Sequence, residues 1–171
     1  MSSKTSPEFI LRPWEELDLD SMVKYANNPR IAANLTDTFP HPYSRDDGKT
    51  YLAMVMPHKP VTTFAIEIDG EACGSIGLKL QTDIFQKSAE CGYWLAEKHW
   101  GKGMMPNAVR QIVDYGFETF GIARIFARTF NTNIASQKVL IKAGFTYEAT
   151  LKKACFKNGQ FYDELIYAIV R

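Results

Sequence analysis

Cysteine is scarce in this chain. Cys73, Cys91 and Cys155 are odd in number and far apart, and none has a histidine or cysteine at metal-ligand spacing. Neither a disulfide framework nor a zinc site is therefore expected, and the three read as ordinary partly buried thiols. An excess of one charge is also missing: 20 Lys plus Arg stand against 19 Asp plus Glu, a formal net charge of +1, with no acidic or basic block. A nucleic-acid or membrane-surface protein would show a basic patch, so neither partner is expected. No apolar run approaches the roughly 20 residues that span a bilayer, and Met1-Ser2-Ser3-Lys4 lacks a signal-peptide core, which leads to the expectation of a soluble, cytoplasmic protein. Internal repeats, low-complexity segments and linkers are absent too. The 171 residues are expected to form one domain, 1–171, long enough to bury a substantial core.

What is present is an alternation of strand and helix patterns. Phe9 to Arg12 alternates and is stopped by Pro13, which suits a short strand. Leu19, Met22, Val23 and Ala26 recur at spacings of three and four, predicting a helix from Asp18, as cap, to Asn27. Ser44 followed by Asp47 is capping-box-like and opens a second helix through Met56. From Thr62 to Leu80 the period changes to two, with Asp69-Gly70 as the turn of a hairpin. Ser88 to Leu95 reads as a strand with Cys91, Tyr93 and Leu95 on one face and Glu90, Gly92 and Trp94 on the other.

Val109, Ile112, Val113, Gly116, Phe117 and Phe120 then form the buried stripe of an amphipathic helix stopped by Gly121. Ile125 to Thr129 is a strand, Ala135 to Ala143 a helix stopped by Gly144, and Phe145–Phe156 with Phe161–Val170 a last hairpin about Asn158-Gly159. The fold class is α/β (α+β), with a mixed, mostly antiparallel sheet of six to seven strands and about four helices.

Between a strand and the longest helix lies "WGKGMM", Trp100 to Met105. A strand, a loop with two glycines and a helix start bring unpaired N–H groups and the positive end of a helix dipole to one place, which suits phosphate or pyrophosphate. Gly101 and Gly103 leave the main chain bare, and Lys102 adds a charge. Lys102 is followed by glycine rather than Ser or Thr, so this is not a Walker loop, and the third glycine of a dinucleotide fingerprint is missing. A structural turn is the other reading of the same spacing.

Four stretches, "LRPWEELDLDSM", "AECGYWLAEKHWGKGMMPNAV", "NIASQKVLIKAGF" and "KNGQFYDELIYAIV", give the chain a resemblance to the GNAT superfamily of acetyl-CoA-dependent N-acetyltransferases, in the RimJ/RimL-like branch of ribosomal-protein N-terminal acetyltransferases. The likeness runs from end to end and implies a GNAT-like domain with a splayed central strand pair. In the family a Gln or Arg, two residues, a Gly, one residue and a Gly or Ala bind the pyrophosphate of coenzyme A through backbone amides. Trp100 holds the first of these positions, Gly103 is the central glycine and Met105 holds the last, where a small residue is usual. The implied contacts are thus Trp100, Gly101, Lys102, Gly103, Met104 and Met105, joined by Asn133 and Ser136 from the following motif. Gly144 and Phe145 fit that motif's register and are equally explained as helix stop and strand start.

The resemblance implies transfer of an acetyl group from acetyl-CoA to a primary amine, of a protein N-terminus or a small molecule, by direct attack in a ternary complex. The backbone of Tyr93, Trp94 and Leu95 is implied as pantetheine partner and oxyanion donor, on the strand that splays from Ile125–Thr129. Glu90 is the candidate base, against a salt-bridging carboxylate as the plainer role. The family's usual acid, a tyrosine, is replaced by Leu140, so Ser136 is the next candidate, or no acid at all. The missing tyrosine keeps open a non-catalytic coenzyme A-binding sensor. No metal is expected, and dimers are common among such relatives. His41, His58 and His99 read as surface or satisfied residues, Tyr162 and Asp163 as strand residues near an acceptor pocket or in structural hydrogen bonds, and Phe39, Tyr43, Phe85 and Trp94 as aromatics of the acceptor side or the core.

Overall fold

The computed structural model describes residues 8–171; the signal-peptide expectation, which fell on Met1 to Lys4, lies outside them. The strands are β1 (Ile10–Pro13), β2 (Thr63–Ile68), β3 (Glu71–Leu80), β4 (Ser88–Leu95), β5 (Arg124–Phe130), β6 (Thr146–Lys157) and β7 (Gln160–Val170). The helices are α1 (Leu19–Ala26), α2 (Pro29–Ala32), α3 (Arg45–Val55), α4 (Met104–Phe120) and α5 (Ile134–Lys142). The strands hydrogen-bond in the order β1-β2-β3-β4-β5-β7-β6, and β4 with β5 is a parallel pair within a mostly antiparallel sheet. No helix among the described residues is long and apolar enough to cross a membrane.

The local signals explain most of these elements. Asp69 and Gly70, at φ of 52° and 81°, form the turn between β2 and β3, and Asn158 and Gly159, at 50° and 76°, that between β6 and β7. Positive φ at both central positions is what a tight two-residue hairpin turn requires. Ser44 Oγ accepts from the Asp47 amide at 3.1 Å while Asp47 Oδ2 accepts from the Ser44 amide at 2.7 Å, so the capping box opens α3.

Two helix starts differ from the sequence reading. Asp18 makes no side-chain cap for α1. Its carboxylate instead accepts from both Arg12 Nη atoms at 2.8 Å and from the Glu15 amide at 2.9 Å, because a short 3-10 turn, Glu16–Asp18, precedes the helix. Asn28-Pro29 does more than end α1: Asn28 Oδ1 accepts from the Arg30 amide at 2.8 Å and caps the additional helix α2, with proline in its first turn. This makes five α-helices among the described residues where about four were expected.

The chain divides into two compact units, one running to Ile76 and resuming over Tyr93–Ala108, the other comprising Gly77–Gly92 and Val109–Arg171. The first unit packs α1, α2 and α3 over the strands through Trp14, Met22, Ala26, Ile31, Tyr43, Leu52, Val55 and Trp94. Gly74 on β3 lies against β4, where a Cβ would stand 2.5 Å from the Trp94 carbonyl oxygen, and the Ala96 amide donates to the Cys73 carbonyl at 2.7 Å. In the second unit α4 lies on the face of β5 that carries the buried Ile125, for a Cβ at Gly116 would meet Leu78 Cδ1 at 2.5 Å and Ile125 Cδ1 at 3.1 Å.

Two measurements check this account. Gly74→Ala places a methyl against backbone rather than a flexible side chain, and is expected to lower stability by about 1–3 kcal/mol, read as a fall in Tm. Burial raises the pKa of Asp18, but the Arg12 hydrogen bonds and the Glu15 amide outweigh it and leave the carboxyl below its ordinary value. A lowered carboxyl contributes stability above its unfolded-state pKa and loses it as pH falls through the folded-state value. Denaturant unfolding followed below pH 5 is therefore expected to fall less steeply with acid in Asp18→Asn than in the wild type.

Candidate active site

The glycine stretch is the loop that enters α4. Gly101 and Gly103 adopt φ of 72° and 78°, the left-handed region that side chains rarely enter, and both are exposed together with Lys102. A Cβ at Gly101 would meet nothing within 4 Å, so the loop surface is open. The amides of Met104 and Met105, at the very start of α4 where the helix itself supplies no carbonyl, follow directly. This main chain fits a pyrophosphate group, since bare positive-φ backbone ends at the positive pole of a 17-residue helix.

The loop is held from behind. Trp100 Nε1 donates to the Leu95 carbonyl at 2.7 Å, returning the chain onto the end of β4. Arg30 stands over the Trp100 ring at 5.3 Å and pairs with Glu97, which also accepts from Asn28 Nδ2 at 2.8 Å. The N-terminal turn of α2 and the loop are thereby joined through one carboxylate. The pairing of Asn28 and Arg30 with Glu97 was not foreseen, since these side chains lie 69 and 67 positions apart in sequence. Met104 and Met105 are buried, at 1% and 9% exposure. Met105 therefore turns inward, and its bulk does not stand on the exposed glycine surface.

Other residues of the first unit belong to its core. Trp94 is buried, its ring 5.9 Å from Phe39, which in turn lies 5.1 Å from Tyr43. Phe85 is exposed in the second unit and has no part in this cluster. The expectation for His99 is corrected: it is buried, and both ring nitrogens lack a hydrogen-bond partner. The 3-10 turn Glu97–His99 tucks it inside, where burial and the neighbouring Lys98 and Lys102 push its pKa below the ordinary value.

In the second unit, Ser88, Ala89 and Glu90 pair with Arg124, Ile125 and Phe126, and there the parallel ladder ends, although β4 continues to Leu95 and β5 to Phe130. The next residues are the buried Cys91 and the exposed Gly92, where a Cβ would meet nothing within 4 Å. Glu90 closes the ladder as an ion-pair partner of Arg128, with Nε 3.4 Å from Oε1. Arg128 also pairs with Glu164, with Nη1 3.9 Å from Oε2. Sequence reasoning missed Arg128 and Glu164; the alternation of Arg124, Phe126 and Arg128 with the buried Ile125, Ala127 and Thr129 was the available signal.

Asn133 Oδ1 accepts from the Ser136 amide at 3.2 Å and caps α5, so its structural role is realised. Ser136 sits half-buried in the first turn, and Leu140 is fully buried. Asp163 accepts from Lys152 Nζ and from the Lys153 amide, both at 2.9 Å, and Tyr162 stacks on Phe130 at 5.0 Å, so each has structural partners. Burial, followed by the charge of Glu90, pushes the Cys91 thiol up to about 12; burial also raises Cys73 and Cys155. No thiol among them is activated as a nucleophile. Among the described residues no group of three or more His, Cys, Asp or Glu is placed to hold a metal ion. Tyr93–Leu95 and Trp100–Met105 thus fall in the first unit, and Glu90, Asn133 and Ser136 in the second.

Residues 8–146 match the family model described as the acetyltransferase (GNAT) domain. The chain belongs to the GNAT acetyltransferase family. A ribosomal-protein-serine acetyltransferase of Escherichia coli (strain K12) is 30% identical over 125 residues, 72% of this chain and 69% of that protein. YoaA of Bacillus subtilis (strain 168), an uncharacterized N-acetyltransferase, is 36% identical over 101 residues, 59% of this chain and 56% of that one. The chain spans about half the length of several curated relatives it matches. Among solved structures, RimL, the ribosomal L7/L12 alpha-N-protein acetyltransferase in complex with coenzyme A, superposes with a TM-score of 0.83 at 22% identity, covering 95% of this chain and 93% of that one. The two chains share the fold.

The glycine loop is tested by Gly103→Val, which puts a β-branched residue at positive φ and a side chain on the bare surface. Coenzyme A affinity, measured by calorimetry, is expected to fall at least ten-fold with far-UV circular dichroism unchanged. Unchanged affinity in the folded variant would make the loop a structural turn.

Proposed function

We propose that the chain is an N-acetyltransferase that moves the acetyl group of acetyl-CoA to a primary amine, by direct attack of the amine within a ternary complex. The observation that carries this reading is the glycine loop: two positive-φ glycines, one on either side of Lys102, exposed at the entrance of α4, in a member of the GNAT family. The backbone amides of Gly101 to Met105, with Lys102 and Trp100, hold the pyrophosphate in this proposal. Tyr93, Trp94 and Leu95 supply the strand backbone along which the pantetheine arm and thioester are bound, and an amide there stabilises the developing oxyanion. Such a donor is typically worth about 10²–10³ in rate. Asn133 and Ser136 complete the coenzyme A contacts from α5.

Glu90 is the proposed base. A bound ammonium must lose a proton before its nitrogen can attack, and a carboxylate at the end of the β4–β5 ladder takes it, directly or through a water. The carbon–nitrogen bond forms as the carbon–sulfur bond breaks, and Ser136 or solvent protonates the departing thiolate. With Leu140 at the position where the family has tyrosine, a side-chain acid is the least demanding requirement, because a thiolate leaves readily.

Each unit is assembled from two separated segments, so neither is a continuous piece, and residues 1–171 are proposed to act as one N-acetyltransferase domain. The acceptor is a protein N-terminus or a small-molecule amine. Cysteines that remain thiols fit a cytoplasmic setting, and a homodimer is the proposed assembly, readable by light scattering.

Thiol release from acetyl-CoA, followed with peptides beginning in Ser or Ala and with spermidine, is expected to proceed with at least one of them. Glu90→Gln is expected to lower kcat at least 100-fold while coenzyme A affinity stays within two-fold. Coenzyme A binding without release for any amine would overturn the enzyme reading in favour of a coenzyme A sensor.

A further inference from the structure

The arrangement around Glu90 goes further than naming a base. Register puts Ala89 opposite Ile125 and Glu90 opposite Phe126. Ile125 faces α4, so Glu90, Phe126 and, two residues on, Arg128 share the opposite face of the sheet. Across the antiparallel β5–β7 ladder Phe130 lies opposite Glu164, which puts Glu164 on that same face. Arg128 stands between them on the middle strand. Its guanidinium reaches Glu90 Oε1 through Nε at 3.4 Å and Glu164 Oε2 through Nη1 at 3.9 Å, and lies 5.5 Å above the Phe126 ring.

A lone surface ion pair is weak because two flexible side chains must be ordered for one contact. Here one planar group has three partners, a ring beneath it and a carboxylate on either side, which together favour one placement of it. Glu164 is itself held, since the Cys155 thiol donates to Glu164 Oε1 at 3.8 Å, and its side chain is only 15% exposed. Side chains of four strands, β6, β7, β5 and β4, thus form a row that ends at Glu90.

We propose that Arg128 is the positioning residue for the Glu90 carboxylate, and that Glu164 anchors Arg128 in that role. The inference rests on Glu90 acting as the base. It also explains why one arginine is shared by two carboxylates. A guanidinium devoted to Glu90 alone would cancel its charge, whereas shared with Glu164 it aligns Glu90 and leaves the trio one unit negative, complementary to an acceptor that arrives as an ammonium.

A double-mutant cycle on the full chain tests this, with the acceptor found in the amine panel. Arg128→Met is expected to lower kcat about 10- to 100-fold, the effect of a small misplacement of a reacting group, with KM for acetyl-CoA unchanged. Arg128→Lys, which keeps the charge without the fork, recovers part of the loss. In a Glu90→Gln background Arg128→Met is expected to change kcat less than two-fold, because what it positions is gone. A loss that multiplies on top of Glu90→Gln, or full kcat in Arg128→Met while Glu90→Gln is impaired, overturns the proposal and leaves the base reading standing. Full turnover in Glu90→Gln overturns both. Glu164→Gln supplies a second route: its kcat is expected below wild type, and adding Arg128→Met brings the loss to that of Arg128→Met alone. Wild-type kcat in Glu164→Gln would remove the anchor and overturn the proposal as stated.

Discussion

Two parallel strands that remain paired for only three residues are the constraint on which the rest depends. Backbone N–H and C=O groups demand partners wherever they are buried, so a strand released from its neighbour must be satisfied elsewhere or left open to a ligand. For β5 the demand is met on the other side, where all seven residues from Arg124 to Phe130 pair with β7. β4 has no such second ladder with β5 beyond Glu90, and its course there is set by small groups: Gly92 within it and Gly74 on β3, so close that a methyl would collide with the Trp94 carbonyl.

The glycine loop obeys the same logic at a helix end. Gly101 and Gly103 take backbone angles that other residues avoid, which keeps side chains off the entrance of α4. That freedom would leave the loop floppy were it not fixed by Trp100, whose indole returns to the Leu95 carbonyl and whose ring carries Arg30. Two glycines leave the loop surface bare and an aromatic side chain holds their position. The two methionines that follow turn inward, so a large side chain at the last motif position leaves the glycine surface open.

Much of the fold was legible because its signals are local. Both hairpin turns were announced by Asp69-Gly70 and Asn158-Gly159, β4 was read with its bounds as they stand, and the capping box of α3 was visible as Ser44 and Asp47. What escaped was non-local. Asp18 has the composition of a cap, yet Arg12, six residues before it, takes its carboxylate, and a single 3-10 turn makes the difference. His99 is polar and neighbours a loop, yet that same kind of turn carries it inside. The glycine loop, Glu90 and Asn133 were proposed from motif and strand pattern, whereas the ion pairs of Arg128 with Glu90 and Glu164 could not be, because they arise only when β4, β5 and β7 are laid side by side.

The interruption of β6 has a consequence outside catalysis. Its register slips between Leu151 and Cys155, where Lys153 takes a φ of 51° and Asp163 binds both the Lys153 amide and the Lys152 ammonium. β6 is the last strand in the sheet order, and the first, β1, is four residues long and ends in Pro13. An outermost strand with regular spacing is a template on which another chain can add, and a kink, a proline or a lysine removes that template. The irregularity that Asp163 holds in place is of the kind that disfavours edge-to-edge addition, and at twelve residues β6 is the longer of the two outermost strands among the described residues.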